Sequence, residues 1–260
     1  MPTTSELLFS LSTQSAEHSY APYSNRREGV VVLLEDGSVV HGCRVENASF
    51  PLTISALLNA MSTLHSVGRM DIAMIASSRA FTEAEKAYLC GMPNFEWIFP
   101  DSTTAHLGGT IPEPKESLFP LLPDWGTSTM KGAEQARDIS DLAWCPESDF
   151  PVGSVIRTAN GHHIPGVNVE HPDWSQGLCA ERNALSAIIA YDYGMPTEIY
   201  VSCPKESGGT PCGACRQVIL ELAPEATVWM DRIDGPPQAM TAQELLPGGF
   251  SGDVLRKPKL

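Results

Sequence analysis

The chain has 260 residues, 42% hydrophobic and 18% charged, as expected of a globular protein with one large domain or two smaller ones. Its formal net charge of −14 argues against polynucleotides and anionic membranes as partners, because both reward clustered positive charge. No apolar run reaches the roughly 18 to 20 residues of a membrane helix, and the N-terminus lacks the pattern of a secretion signal, so we expect a cytosolic protein.

The sequence contains an internal duplication, in which residues 22–61 align without a gap with residues 146–185 at a constant offset of 124. Each copy has an apolar run, an Asp-Gly or Asn-Gly turn and a returning strand, which predicts a β-hairpin. The matched positions include Gly29 with Gly153, Asp36-Gly37 with Asn160-Gly161, and Val45-Glu46 with Val169-Glu170.

Each predicted hairpin is followed by alternating helices and strands. In the first copy, apolar residues from Ile54 to Met61 recur at helical spacing, and strands are predicted at Ile72–Ala76 and Trp97–Phe99. The matching elements of the second copy are a helix from near Leu178, a strand at Ile199–Val201, a helix with Pro211 at its first position and a strand at Thr227–Trp229.

We therefore expect an α/β protein of two tandem domains, each a three-layer α/β/α sandwich with a mixed central sheet. The first repeat is predicted to span residues 1–125 and the second 142–260, and the Gly-, Ser- and Thr-containing segment 126–141 is predicted to be a linker.

Only the second repeat has a candidate metal site. Cys179 opens one predicted helix, and Cys212 and Cys215 lie one turn apart at the start of the next, where the helix dipole favours thiolates. Three protein ligands with an open fourth position are typical of catalytic rather than structural zinc. Glu181, two residues after the first cysteine, is placed to move protons for a zinc-activated water.

The first repeat lacks these groups. Ser55 and Leu57 occupy the positions that match Cys179 and Glu181, and nothing there corresponds to the Cys212–Cys215 pair. We therefore expect the first repeat to be degenerate and structural. If interface residues complete each pocket, we expect the first repeat to supply some of its walls, with Phe50 as one candidate.

The motifs of the second repeat resemble those of the zinc-dependent cytidine deaminases that act on free nucleosides. The resemblance extends over nearly the whole chain, because the first repeat keeps Pro22-Tyr-Ser-Asn25 and Val45-Glu-Asn-Ala-Ser49. In the second repeat it rests on Phe150-Pro-Val-Gly153, Gly166-Val-Asn-Val-Glu170, Cys179-Ala-Glu-Arg182, Pro211-Cys-Gly-Ala-Cys-Arg-Gln217 and Glu244-Leu-Leu-Pro-Gly-Gly-Phe250.

The resemblance implies one zinc ion per chain, held by the three cysteines, with Glu181 as the catalytic proton shuttle. It implies hydrolysis of cytidine and 2′-deoxycytidine to uridine, 2′-deoxyuridine and ammonia in pyrimidine salvage. Further implied roles are ribose binding by Asn168 and Glu170, a pyrimidine wall from Phe150, a base contact from the Ala180 N–H, a charge-balancing cation at Arg182 and a ring contact from Phe250, often across a subunit interface.

The resemblance also implies a homodimer, because single-domain relatives are tetramers and this chain carries two domains. The sequence departs from the family pattern at Glu147 and at His171–Trp174. These departures keep open an alternative, deamination of a modified cytosine nucleoside such as an aminoacyl-nucleoside antibiotic. A second alternative is a non-catalytic, zinc-stabilised dimerisation module.

Overall fold

Two β-sheets, one from each repeat, form the framework of the computed structural model, which describes residues 2–255. None of the described helices is long and apolar enough to cross a membrane. The first repeat contains α1 (Thr4–Glu17), β1 (Gly29–Leu34), β2 (Val39–Cys43), α2 (Ala56–Ser66), β3 (Ile72–Ser77), α3 (Glu83–Gly91) and β4 (Thr104–His106). The second contains α4 (Thr129–Ile139), β5 (Gly153–Thr158), β6 (His163–Val167), α5 (Ala180–Ala190), β7 (Pro196–Ser202), α6 (Gly213–Leu222), β8 (Thr227–Met230), β9 (Gln238–Thr241) and α7 (Ala242–Leu245).

The predicted three-layer arrangement is confirmed by the way the central strands bury both faces. In β1, Val30 and Val32 pack with α2 and α3 on one side, whereas Val31 and Leu33 pack with Leu8 of α1 on the other. Side chains of a strand point alternately to its two faces, so a strand with helices on both sides must be apolar at every position.

The two sheets differ in strand direction. The second, in the order β6-β5-β7-β8-β9, is mixed, because β7 and β8 are parallel and its other pairs are antiparallel. In the first, β2-β1-β3-β4, all pairings among the described strands are antiparallel. The strand predicted at Trp97–Phe99 is reduced to a single bridge between Ile98 and His106, and the flanking aromatic rings pack against the core instead.

Helices α1 and α4 were not predicted, and α4 lies within the predicted linker 126–141. Gly29 of β1 lies against the backbone of Ser12 and Ala16, and Gly153 of β5 lies against the backbone of Ala136 and Ser140, so a side chain at either glycine would collide. Small residues therefore let each helix approach its sheet closely. Because these contact residues are not large and apolar, the sequences of α1 and α4 show little of the apolar periodicity that predicts a helix.

The same offset of 124 relates these contacts, so the duplication includes α1 and α4. Ala136 and Ile139 of α4 pack with Val155 and Tyr200 of the second sheet. We therefore propose a first unit of residues 1–125 followed by a second unit that includes α4.

Helices α2 and α5 join the repeats through two reciprocal amides. Asn59 Nδ2 donates to the carbonyl of Cys43 at 3.0 Å and to that of Ser186 at 3.1 Å, across the interface. Asn183 Nδ2 donates to Val167 and, across the interface, to Ser62, both at 3.0 Å. Both asparagines are fully buried. Because the two sets of bonds join residues that match at the offset of 124, in reciprocal fashion, the repeats are related by a local two-fold.

We expect Asn59→Ala to lower the free energy of unfolding by about 1–3 kcal/mol, because it deprives two buried carbonyls of a donor. Urea unfolding of the zinc-loaded protein measures the change. The control is Gln135→Ala on α4, a partly exposed amide that donates to Asp138, for which we expect about 0.5 kcal/mol or less. Equal losses in the two variants would contradict a special role for the interface amide.

Candidate metal centre and substrate pocket

Three cysteines converge at the N-termini of two helices. Cys179 is the N-cap residue of α5, and Cys212 is the N-cap residue of α6, where its sulfur accepts the N–H of Cys215 at 3.5 Å. Pro211 therefore lies just before the N-cap residue, not at the first helical position as predicted. Both helix dipoles direct their positive ends at the thiols, which favours thiolates.

The spacing of the sulfur atoms fits a zinc ion. The three Sγ atoms lie within 4.8 Å of one another, with 3.7 Å between Cys179 and Cys212 and 3.5 Å between Cys212 and Cys215. Tetrahedral zinc with bonds of about 2.3 Å requires sulfur separations of about 3.8 Å. Hydrogen bonds from the neighbouring thiols lower the pKa of Cys212, and hydrogen bonds to the neighbouring sulfurs raise the pKa values of Cys179 and Cys215.

Glu181 lies beside this cluster in the first turn of α5. It is 3% exposed, and its Oε2 accepts a hydrogen bond from Cys215 Sγ at 3.2 Å. Burial raises the pKa of Glu181. A buried carboxyl group with a raised pKa, next to a metal site, suits proton transfer near neutral pH.

A cavity of about 370 Å³ opens onto the cysteines and Glu181, within the 300–1,000 Å³ range of small-molecule sites. It brings together most of the residues predicted from the sequence, and Trp174 and Cys203 join them. Its walls are Ser148, Phe150, Val152, Asn168, Glu170, Trp174, Cys179, Glu181, Val201, Cys203, Thr210, Cys212 and Cys215. All of these described wall residues belong to the second repeat of the same chain.

Asn168 and Glu170 are held in place by the loop that precedes β5. Asn168 Oδ1 accepts the N–H of Val152 at 2.7 Å, and its Nδ2 donates to the carbonyl of Phe150 at 2.9 Å. Glu170 accepts the N–H groups of Glu147 and Ser148 and the Ser148 hydroxyl. Because a carboxylate offers about four lone pairs, Glu170 can accept at least one further hydroxyl.

Three other predicted residues lie around the cavity. Ala180 is the first residue of α5, so its N–H has no carbonyl partner four residues back in the helix. The guanidinium of Arg182 donates to the carbonyl of Leu52 at 3.2 Å, and its charge acts to lower the pKa of Glu181. The Phe250 side chain is half exposed and lies outside the cavity wall. Its backbone carbonyl accepts a hydrogen bond from Gln217 Nε2 at 3.0 Å.

The matching positions of the first repeat hold an ion-pair cluster, which sequence reasoning missed. Ser55 and Thr82 are the N-cap residues of α2 and α3, as Cys179 and Cys212 are of α5 and α6. Glu85 follows Thr82 by three residues, as Cys215 follows Cys212. The Arg79 guanidinium donates to both oxygens of Glu85 at 2.8 and 2.9 Å and to Glu28 at 2.7 Å.

In the first repeat, the Arg79 guanidinium therefore lies near the place that matches the metal site of the second repeat. The Thr-x-x-Glu capping box was the available sequence signal for this substitution.

We expect Arg79→Met to lower the free energy of unfolding by about 1–3 kcal/mol, because it leaves the mostly buried Glu85 without its counter-charge. The Arg79 side chain is 31% exposed, so solvent screening keeps the loss of stability below that expected for a fully buried ion pair. Urea unfolding and zinc analysis measure the effect, and the zinc content should not change. The control is Lys86→Met, which breaks a surface pair with Glu83 and should cost about 0.5 kcal/mol or less. Loss of zinc in Arg79→Met would contradict this interpretation.

Comparison with known proteins finds one family twice in the chain. Profiles described as "Cytidine and deoxycytidylate deaminase zinc-binding region" match residues 127–231 and residues 3–90. The chain is 37% identical over 127 residues to a cytidine deaminase of Halalkalibacterium halodurans, a match that covers 48% of this chain and 92% of that protein. It is 46% identical over 140 residues to a cytidine deaminase of Mycobacterium tuberculosis, covering 53% of this chain and 99% of that protein.

A crystal structure of cytidine deaminase from Burkholderia pseudomallei aligns with a TM-score of 0.46 at 33% identity, covering 48% of this chain and 100% of that one. The two cytidine deaminases matched by sequence are each covered almost completely by about half of this chain, in agreement with the duplication seen in the sequence and in the fold. The chain is a zinc-binding member of the cytidine and deoxycytidylate deaminase family that carries two deaminase repeats in tandem.

Proposed function

We propose that this protein hydrolyses cytidine and 2′-deoxycytidine to uridine, 2′-deoxyuridine and ammonia, as an enzyme of pyrimidine salvage, and that its second repeat carries the reaction. The observation that carries the proposal is the buried Glu181 carboxyl group, bonded to a cysteine of the three-thiol cluster inside a cavity of substrate size. Family membership and the relatives named as cytidine deaminases support the same reaction.

In this proposal, Cys179, Cys212 and Cys215 hold the zinc ion, which supplies the Lewis acidity that makes water a nucleophile at neutral pH. Glu181 takes a proton from the attacking water and delivers it to N3 of the pyrimidine. It then passes the second proton to the amino group that leaves C4 as ammonia. Burial of Glu181 matches both tasks, because a raised pKa lets one carboxyl group accept and return a proton.

The polar wall opposite the cysteines favours a nucleoside over a nucleotide. Asn168 and Glu170 are fixed by hydrogen bonds and would hold the ribose hydroxyls, while Phe150 would cover the pyrimidine and the Ala180 N–H would meet the base carbonyl. No Lys or Arg lines the cavity among the described residues, and Glu170 and Glu181 are both acidic. A 5′-phosphate would therefore meet repulsion without a counter-charge.

The test is the loss of cytidine absorbance with purified, zinc-analysed protein. Deoxycytidine, cytosine, cytidine 5′-monophosphate and an aminoacyl-cytosine nucleoside run beside it. We expect turnover of cytidine and deoxycytidine and at least about a hundredfold lower kcat/KM for the monophosphate. No turnover of either nucleoside by zinc-loaded protein would refute the proposal, and turnover of the aminoacyl nucleoside alone would establish the alternative instead.

We also propose that the protein is a homodimer. Large aromatic side chains remain exposed in the single chain: Trp174, on the wall of the substrate cavity, by 66%, Phe50 by 84% and Phe250 by 50%. Exposed aromatic residues of this kind are typical of interfaces. Light scattering should give about 56 kDa, twice the chain mass of 28.1 kDa, and a stable monomer at micromolar concentration would contradict the proposal.

A further inference from the structure

The local two-fold creates two equivalent junctions between the repeats, and one of them is closed by a carboxylate. Glu221, near the end of α6, accepts hydrogen bonds from the Tyr20 hydroxyl at 3.1 Å, the Tyr23 hydroxyl at 2.7 Å and the Ala48 N–H at 2.7 Å. This closed junction fastens the helix with two of the cysteines to the first repeat.

The other junction has lost every one of these groups. Trp144, Glu147 and Pro172 occupy the positions that match Tyr20, Tyr23 and Ala48, and Gly91 of α3 occupies the position that matches Glu221. Proline has no N–H to donate, and glycine offers no side-chain acceptor. The network cannot form there, and a cavity of about 220 Å³ takes its place. We call this cavity the open junction; its walls include His65, Met70, Tyr88, Phe95, Trp144 and Glu170.

The walls of the open junction suit an uncharged, flat ring. The His65 imidazole stacks on Trp144 with 6.3 Å between ring centroids, and no hydrogen bond to that imidazole is found among residues 2–255. Burial lowers the pKa of His65 to about 4, so the ring is neutral at pH 7 and can exchange one hydrogen bond with a ligand. No Lys or Arg of the described chain lines the cavity, and Glu170 lies on one wall, so an anion is disfavoured.

The volume is also sufficient. An engineered apolar cavity of about 150 Å³ in another protein admits benzene, so the larger space here has room for a heterocycle of one or two rings. Aromatic faces and methionine thioethers, such as those of Phe95 and Met70, make favourable contacts with such rings.

The open junction shares a wall with the substrate cavity. Glu170 lines both cavities. The next residue, His171, contacts Tyr88 of the first repeat. The His171 ring stacks on Tyr88 at 4.6 Å, its Nε2–H donates to the Tyr88 carbonyl at 2.9 Å, and its Nδ1 accepts the Asp173 N–H at 3.0 Å. A ligand that touches Glu170 and His171 therefore touches the segment after β6 that carries Glu170 into the substrate cavity.

We propose that the open junction is an effector site for a small, uncharged heteroaromatic molecule, distinct from the substrate cavity. The effector role rests on the proposed function, because it acts through Glu170 on substrate binding. Occupancy of the site itself does not depend on that function, so the two can fail separately.

The probe is indole, and its charged control is indole-3-acetate. Saturation-transfer NMR on the zinc-loaded protein should show saturable binding of indole and at least about tenfold weaker binding of the acetate. Intermolecular NOEs from indole to the methyl groups of Met70 and Met92, which line the cavity, would locate the probe. Saturable binding without these NOEs, or the absence of saturable binding, would overturn the site.

Two variants sharpen the test, each checked for wild-type zinc content and melting temperature. Met70→Trp should fill the cavity and weaken indole binding at least about tenfold, and His65→Phe should keep the stacked ring but weaken binding severalfold. Saturating indole should change the KM for cytidine severalfold in the wild type and not in Met70→Trp. Indole inhibition that is competitive and persists in Met70→Trp would place indole in the substrate cavity, and binding without a change in KM would overturn the effector role.

Discussion

Replacing Glu181 by glutamine should reduce kcat for cytidine by about 10³-fold or more while the chain keeps its zinc ion. Glutamine has nearly the same shape and can still meet Cys215, but it cannot take a proton from water or return one to the pyrimidine. Positioned acid–base groups typically contribute 10²- to 10⁴-fold, and this one group is proposed to act at two successive proton transfers. The measurement is the initial rate of cytidine absorbance loss together with zinc per chain.

Folding is not expected to suffer in this variant, because the substitution removes a buried ionisable group that is only 3% exposed. The matched control is Glu225→Gln, an exposed glutamate beyond the end of α6, for which we expect wild-type activity. Activity of Glu181→Gln within tenfold of the wild type would refute the proposed proton shuttle. A variant that loses zinc and fold together would favour the non-catalytic zinc module instead.

Cys212→Ser should lose both the metal and the activity while α6 stays in place. Serine is a good N-cap residue, so its hydroxyl can still accept the Cys215 N–H that the Cys212 sulfur accepts now. A hydroxyl is a poor replacement for a soft thiolate ligand, and two cysteines with an exchangeable oxygen hold zinc weakly. We expect zinc to fall from about one to below about 0.1 per chain after dialysis against a chelator, with kcat reduced about 10³-fold or more.

The control for thiol loss as such is Cys90→Ser, because Cys90 is exposed and lies outside the three-cysteine cluster. It should keep both zinc and activity. Circular dichroism separates loss of metal from loss of fold, and the proposal predicts near-native helix content for Cys212→Ser. Retention of about one zinc per chain by this variant would remove Cys212 from the ligand set.

The duplication, the hairpins and the groups that form the metal cluster can all be inferred from the amino-acid sequence. These features are local or periodic. An Asn-Gly pair marks a hairpin turn, although the loop here has three residues, 159–161, rather than the two that the pair favours. Cys212 and Cys215 share a face of α6 because they lie one turn apart. The grouping of Cys179 with this pair was inferred from the three cysteines at predicted helix starts, and the family resemblance implies it as well. Because 33 residues separate Cys179 from Cys212, the distance between them depends on how α5 and α6 pack.

The contacts between the repeats could not be inferred from the sequence and are seen only in the folded chain. Helices α1 and α4 escaped prediction because the residues that let them approach their sheets, such as Ser12 and Ala136, are small and not strongly apolar. The strand predicted at Trp97–Phe99 is wrong because large apolar side chains are as common in irregular segments that pack on the core as they are in strands. The pairing of Arg79 with Glu28, the closing of one junction by Glu221 and the opening of the other at Gly91 depend on residues far apart in the chain. No local propensity encodes such contacts, because each exists only after the two repeats have packed together.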